Sequence, residues 1–86
     1  MKLKKVGNGK VKLTWNKKAK ADGFEIYMQK GKKVYKRIAS KGKKVVSLKK
    51  GGLKKGITYR FKLRSYKKVG NVKVYSAFSK AKKVKF

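Results

Sequence analysis

Apolar and polar residues alternate along most of this 86-residue chain, which is the period of a strand with one buried face. Val11, Leu13 and Trp15 alternate with Lys10, Lys12 and Thr14, predicting a strand over residues 10–15. Phe24, Ile26 and Met28 alternate with Glu25, Tyr27 and Gln29, predicting a second over 23–30. Gly31-Lys32 supplies a turn in which glycine takes positive φ without steric cost, and a strand over 33–39 follows. Lys41-Gly42 makes the next turn, before a short strand over 44–48. The longest alternation sets Tyr59, Phe61, Leu63 and Ser65 on one face and Arg60, Lys62, Arg64 and Tyr66 on the other, as a central strand requires. Gly70-Asn71 marks a hairpin, and residues 72–78 and 81–86 form a last strand broken at Ser79-Lys80. A first strand over 2–6, closed by Gly7-Asn8-Gly9, brings the count to seven.

Helical spacing never persists. Seven short strands with regular turn signals in under 100 residues predict an all-β fold, a seven-stranded antiparallel β-sandwich of immunoglobulin-like type. The chain shows no repeat, linker or composition shift, so residues 1–86 are expected to form a single domain. Leu13, Trp15, Phe24, Ile26, Leu53, Tyr59, Phe61 and Leu63 are its expected core. No apolar stretch reaches the 18 or so residues of a membrane span.

Composition narrows the function classes. Thirty Lys plus Arg stand against two acids, with no His and no Cys, for a formal charge of +28. Disulfide frameworks, thiolate or imidazole metal sites and Ser-His-Asp triads therefore lack their parts. Asp22 and Glu25 are the only carboxylates. Glu25 falls at an outward position, where a cross-strand ion pair with the strand carrying Arg60, Lys62 and Arg64 is expected. Asp22, just before Gly23, is expected to bond local backbone amides, as turn aspartates do. A carboxylate alone among cations is held ionised and accepts protons poorly. Ser40, Ser47, Ser65, Ser76 and Ser79 have no identifiable general base, and the expectation is a non-enzymatic protein without catalytic residue, metal or cofactor. A mixed aromatic and apolar pattern with 12% aromatic residues argues against the disorder that such charge alone would suggest.

Four segments, in this order and spacing, resemble a fibronectin type III domain of the lysine-rich bacterial kind: Val11-Lys-Leu-Thr-Trp15; Ala21-Asp-Gly-Phe-Glu-Ile-Tyr27; Leu53-Lys-Lys-Gly-Ile-Thr-Tyr59 with Phe61-Lys-Leu-Arg-Ser-Tyr66; and Val74-Tyr-Ser-Ala-Phe-Ser79. The resemblance covers almost the whole chain and implies an extracellular or cell-surface setting. It implies that the indole of Trp15 fills the sandwich centre. It also implies that Tyr59 forms a tyrosine corner, its hydroxyl reaching back to the loop before the long strand, with Gly56 allowing the tight turn. The chain departs from the family in having no proline, so Lys2, Lys4 and Lys5 are left to guard the first edge by charge. The integrin-type Arg-Gly-Asp tripeptide is also absent, the corresponding loop reading Lys67-Lys-Val-Gly-Asn-Val-Lys73.

A reader of nucleic acid gathers its cations on one face and favours arginine. Here lysine occupies the outward positions of nearly every predicted strand, and only Arg37, Arg60 and Arg64 are arginines. The outward Tyr27, Tyr35, Tyr66 and Tyr75 could stack on bases, but sheet-surface tyrosines ordinarily serve as cross-strand packing. The first reading is a scaffold redesigned or positively supercharged, associating with polyanions (nucleic acid, heparin-like glycans, anionic surfaces or proteins) without sequence specificity. Its contacts would be diffuse, through Arg37, Arg60, Lys62, Arg64, Lys67, Lys68 and Lys73. The alternatives are a natural bacterial cell-surface spacer or attachment repeat and, third, a dedicated nucleic-acid binder. Self-repulsion predicts a monomer. A folded surface of about 5,000 Å² is expected for this size.

Overall fold

Two antiparallel sheets enclose one apolar core in the computed structural model, which describes residues 1–16 and 21–86. The chain forms β1 (Lys2–Gly7), β2 (Lys10–Thr14), β3 (Gly23–Lys30), β4 (Lys36–Gly42), β5 (Ser47–Lys50), β6 (Thr58–Val69), β7 (Val72–Tyr75) and β8 (Lys82–Lys85). One sheet has the order β1-β2-β5. The other runs β4-β3-β6-β7, with β8 also pairing β6 beyond β7. The described residues contain no helix. The architecture is an all-β sandwich.

Alternation decides which side chains meet between the sheets. Val11, Leu13 and Trp15 from one sheet and Phe24, Ile26, Tyr59, Phe61, Leu63 and Val84 from the other are buried together, with Leu53 from the loop before β6. Trp15 and Phe24 meet across the gap at 5.7 Å between ring centroids. Among the described residues, Trp15 Nε1 is the one buried side-chain polar atom without a hydrogen-bond partner.

There are eight strands rather than seven, because the expected last strand is divided more widely than at Ser79-Lys80. Both pieces pair with β6, β7 through Tyr66–Tyr75 and β8 through Phe61–Lys82. Between them the serines take over the ladder. Ser76 and Ser79 donate their backbone N–H groups to the carbonyls of Ser65 and Leu63 at 2.9 and 2.8 Å, and their hydroxyls accept from the N–H groups of the same residues at 2.9 and 3.1 Å. Residues 76–79 thus satisfy the edge of β6 without strand geometry, which a search for alternation cannot register.

Other boundaries move as well. β4 begins at Lys36 rather than at residue 33, and β5 covers Ser47–Lys50 rather than 44–48. β6 continues past Tyr66 to Val69. Tyr59 Oη accepts from the Lys54 N–H at 2.9 Å, tying the loop before β6 to the strand itself. Gly56, in that loop at φ 79°, donates its N–H to the Phe86 carbonyl.

Candidate functional site: the outer face of the larger sheet

Register gathers Glu25 of β3, Arg37 of β4, Arg60, Lys62, Arg64 and Lys68 of β6 and Lys73 of β7 on one surface. Glu25 lies opposite Arg64, Tyr27 opposite Lys62 and Gln29 opposite Arg60. On the other side of β6, Tyr66 pairs with Tyr75 and Lys68 with Lys73. β3 and β4 lose register between Ile26 and Tyr27, so Tyr27 faces Arg37 rather than Ile38. The extra residue in this bulge lets Ile38 and Ala39 both pack toward the core and turns Arg37 to the outer face.

At the centre of this face is a carboxylate that the alternation assigns to solvent. Although it falls at an outward position, Glu25 is 0% exposed. It is outward of the sheet but roofed by longer side chains. Arg64 donates to Oε1 from Nε at 3.1 Å and from Nη2 at 3.0 Å. Arg37 donates to Oε2 at 3.3 Å, and the Tyr27 hydroxyl to Oε1, also at 3.3 Å. The expected cross-strand ion pair is present, with Arg64, and the bulge adds a second cation from the opposite flank. Burial pushes the Glu25 pKa up, but the hydrogen bonds and charge of Arg64, with those of Tyr27 and Arg37, outweigh it and hold the carboxyl below its ordinary value. Burial likewise works against the Arg64 charge, and Glu25 together with Tyr27 more than compensates, raising its pKa.

Asp22 does something other than the expected local bonding. Its Oδ2 accepts from the backbone N–H of Lys68, 46 residues away, at 2.6 Å, while its own N–H donates to the Tyr66 carbonyl. The aspartate thereby extends the β3 edge to the point where β6 outruns it. Neither acid has a second carboxylate partner, and no group of three or more metal-ligating side chains occurs among the described residues.

Aromatic rings and cations interleave across the same face. Arg64 lies 3.7 Å from the Tyr75 centroid, 4.9 Å from that of Phe78 and 5.4 Å from that of Tyr27. Lys62 Nζ sits 4.1 Å from the Phe78 centroid and 4.2 Å from that of Tyr35, and Lys73 Nζ 4.6 Å from that of Tyr66. Tyr27 and Phe78 meet edge to face at 5.0 Å. Each of the five rings therefore has a cation within the ~6 Å range of cation–π attraction. Tyr66 is outward by strand parity and packs across the strands on Tyr75, with 6.4 Å between ring centroids, yet it is buried, because its ring also lies over Gly23, where a Cβ would fall 2.5 Å from Tyr66 Cζ and from the Lys41 carbonyl oxygen. No family model, no curated protein and no solved structure matches the chain when it is compared with known proteins.

Of the seven cations expected to contact polyanions, strand alternation puts Arg37, Arg60, Lys62, Arg64, Lys68 and Lys73 on this one face. Lys67 pairs with Val74 on the opposite face. The grouping was not visible as a sequence patch because its members are spread over three strands. Phe78, Ser76 and Ser79 were also missed as parts of the site. Their only sequence signal is that an aromatic residue and two hydroxyls follow Tyr75 just where alternation ceases.

Proposed function

We propose that the protein is a non-enzymatic β-sandwich scaffold, of fibronectin type III kind and redesigned toward extreme positive charge, that associates with polyanions without sequence specificity. The observation that carries this reading is the occupancy of the outer face. Its aromatic rings are already covered by Lys62, Arg64 and Lys73, so they offer charge to a partner in preference to open stacking surfaces. Arg64 and Arg37, the residues best suited to bidentate recognition, are engaged by Glu25. What remains outward is mostly lysine, a point charge that neutralises phosphate or sulfate without reading a base.

Support for the fold assignment comes from the strand order. The first, second and fifth strands share one sheet, and the third and sixth pair at the centre of the other, as in immunoglobulin-like sandwiches. The Tyr59–Lys54 hydrogen bond supports it independently.

The test is a salt titration of binding to two unrelated DNA duplexes and to heparin. With Arg37 and Arg64 paired to Glu25, Arg60, Lys62, Lys68 and Lys73, together with Lys83 and Lys85 of β8, are the cations left on the face, and neutralising about six phosphates costs roughly 1,000-fold in affinity between about 50 and 200 mM salt. The two duplexes should lose affinity in parallel, and heparin should compete with both. Binding to one duplex that persists at high salt would overturn the reading in favour of dedicated nucleic-acid recognition.

A further inference from the structure

Beyond the pair formed by Gly23 and Tyr66, β6 has no strand neighbour except β7. Residues 67–74 form a two-stranded ribbon, and every one of them is exposed. About four residues at ~3.3 Å each carry its tip roughly 13 Å past the last pairing with β3. The turn is tight, with Gly70 at φ 62° and Asn71 at negative φ, the two-residue form that places glycine first and matches strand twist. Nothing about the turn requires apolar neighbours. Yet Val69 and Val72 face each other immediately behind it, and Val74 lies on the same side, at 58%, 64% and 55% exposure. Lys68 and Lys73 occupy the other side, and Lys67 sits beside Val74.

Val69 and Val72 form an apolar tip with Lys68 and Lys73 behind it, Val74 continues the apolar side beside Lys67, and no acid stands among them. Nucleic acid and sulfated glycan present charge but no apolar layer to receive three valines. A second copy of a chain carrying +28 is repelled. An anionic bilayer presents the same two layers in the matching sequence, charge outside and hydrocarbon within. We infer that this hairpin is an interfacial anchor for anionic lipid membranes, with Val69, Val72 and Val74 entering the acyl boundary and Lys67, Lys68 and Lys73 held at the phosphates. The ribbon's reach covers the ~5–10 Å depth of interfacial insertion. Polar Asn71 at the apex keeps insertion shallow, and the lysine stems let the ammonium groups stay in water. The inference rests on the polyanion reading and selects from that class the member whose hydrocarbon lies directly beneath its charge.

The deciding variant is Val69→Thr/Val72→Thr/Val74→Thr, which keeps branched side chains of strand propensity and removes only their apolar character. Binding is measured to vesicles of mixed phosphatidylcholine and phosphatidylserine and, separately, to heparin. The triple variant should lose about tenfold or more in vesicle affinity while keeping its heparin affinity and its melting temperature. A second probe, Val72→Trp, should shift its emission to the blue with anionic vesicles and be quenched by brominated acyl chains, against the constant background of buried Trp15. Vesicle binding that ignores the three valines, or an indole at position 72 that bromine does not quench, overturns the anchor and leaves the polyanion reading standing. Valine-dependent vesicle binding without affinity for heparin or DNA does the reverse.

Discussion

Glu25 shows how a single residue can carry opposite labels in sequence and in structure. It is outward by strand parity and fully buried by accessibility, because Arg64, Arg37 and Tyr27 close over it. A buried carboxylate with its partners in place is stable, whereas removing one partner leaves uncompensated charge. Glu25→Gln should therefore cost roughly 2–3 kcal/mol, read from urea denaturation at neutral pH. The pH dependence follows from the lowered pKa. The stabilisation is complete above the unfolded value of about 4.5 and is lost as pH falls through the lower folded value. The stability difference between wild type and Glu25→Gln should shrink over that acid range and stay constant above it. A difference unaffected by acid would show that the carboxylate charge contributes nothing. Asp22 gives the companion lesson, since an aspartate before glycine suggested a local turn and instead holds the Lys68 amide from a distant strand.

Among the elements, the smaller sheet exposes a conflict that strand assignment alone leaves hidden. Register sets Lys12 of β2 directly opposite both Lys4 of β1 and Lys49 of β5. Like charges facing one another across strands destabilise each pair by about 0.2–1 kcal/mol. Lys12→Glu, which turns both repulsions into attractions, should stabilise the fold by about 1 kcal/mol or more in low salt, with a gain that shrinks as salt is added. No change in melting temperature would mean that the three side chains splay apart. In the larger sheet the β3–β4 bulge brings Arg37 rather than Ile38 opposite Tyr27, which sets a second cation beside Glu25. A strand was legible there, but the bulge was not, because it is set by pairing between segments and not by composition within either.

At the scale of the whole molecule, the surface is 6120 Å² rather than the roughly 5,000 Å² expected from size, and the principal extents are 43 × 24 × 19 Å. A projecting ribbon and many extended lysines fit that excess. Spread evenly, 30 cations would have about 200 Å² each, a spacing of ~14 Å that exceeds the ~8 Å Debye length at physiological ionic strength. They are not spread evenly. Strand partners such as Lys4–Lys12 and Lys68–Lys73 have backbones only about 5 Å apart, so part of the repulsion survives ordinary screening. The melting temperature should rise by roughly 5–10 °C between very low salt and half-molar NaCl. A flat or falling curve, followed by circular dichroism, would contradict a fold limited by its own charge. The described residues contain no helix long and apolar enough to cross a membrane.

Strand class and the identity of the inner face follow from residue order alone. A period of two, repeated along the chain, commits Val11, Leu13, Phe24, Ile26, Phe61 and Leu63 to one side of their strands wherever those strands pair. Composition, with neither His nor Cys, takes away the parts of the usual catalytic and metal-binding chemistries. The outward residues acquire their roles only in the folded arrangement. Whether an outward glutamate is solvated or roofed, whether Arg37 of β4 and Lys73 of β7 join the four outward cations of β6 on one face, and where β6 outruns its neighbours all depend on register, bulges and strand ends. These are properties of pairs of segments. Alternation within one segment fixes a side chain's direction, but its neighbours are chosen by the strand that hydrogen-bonds beside it.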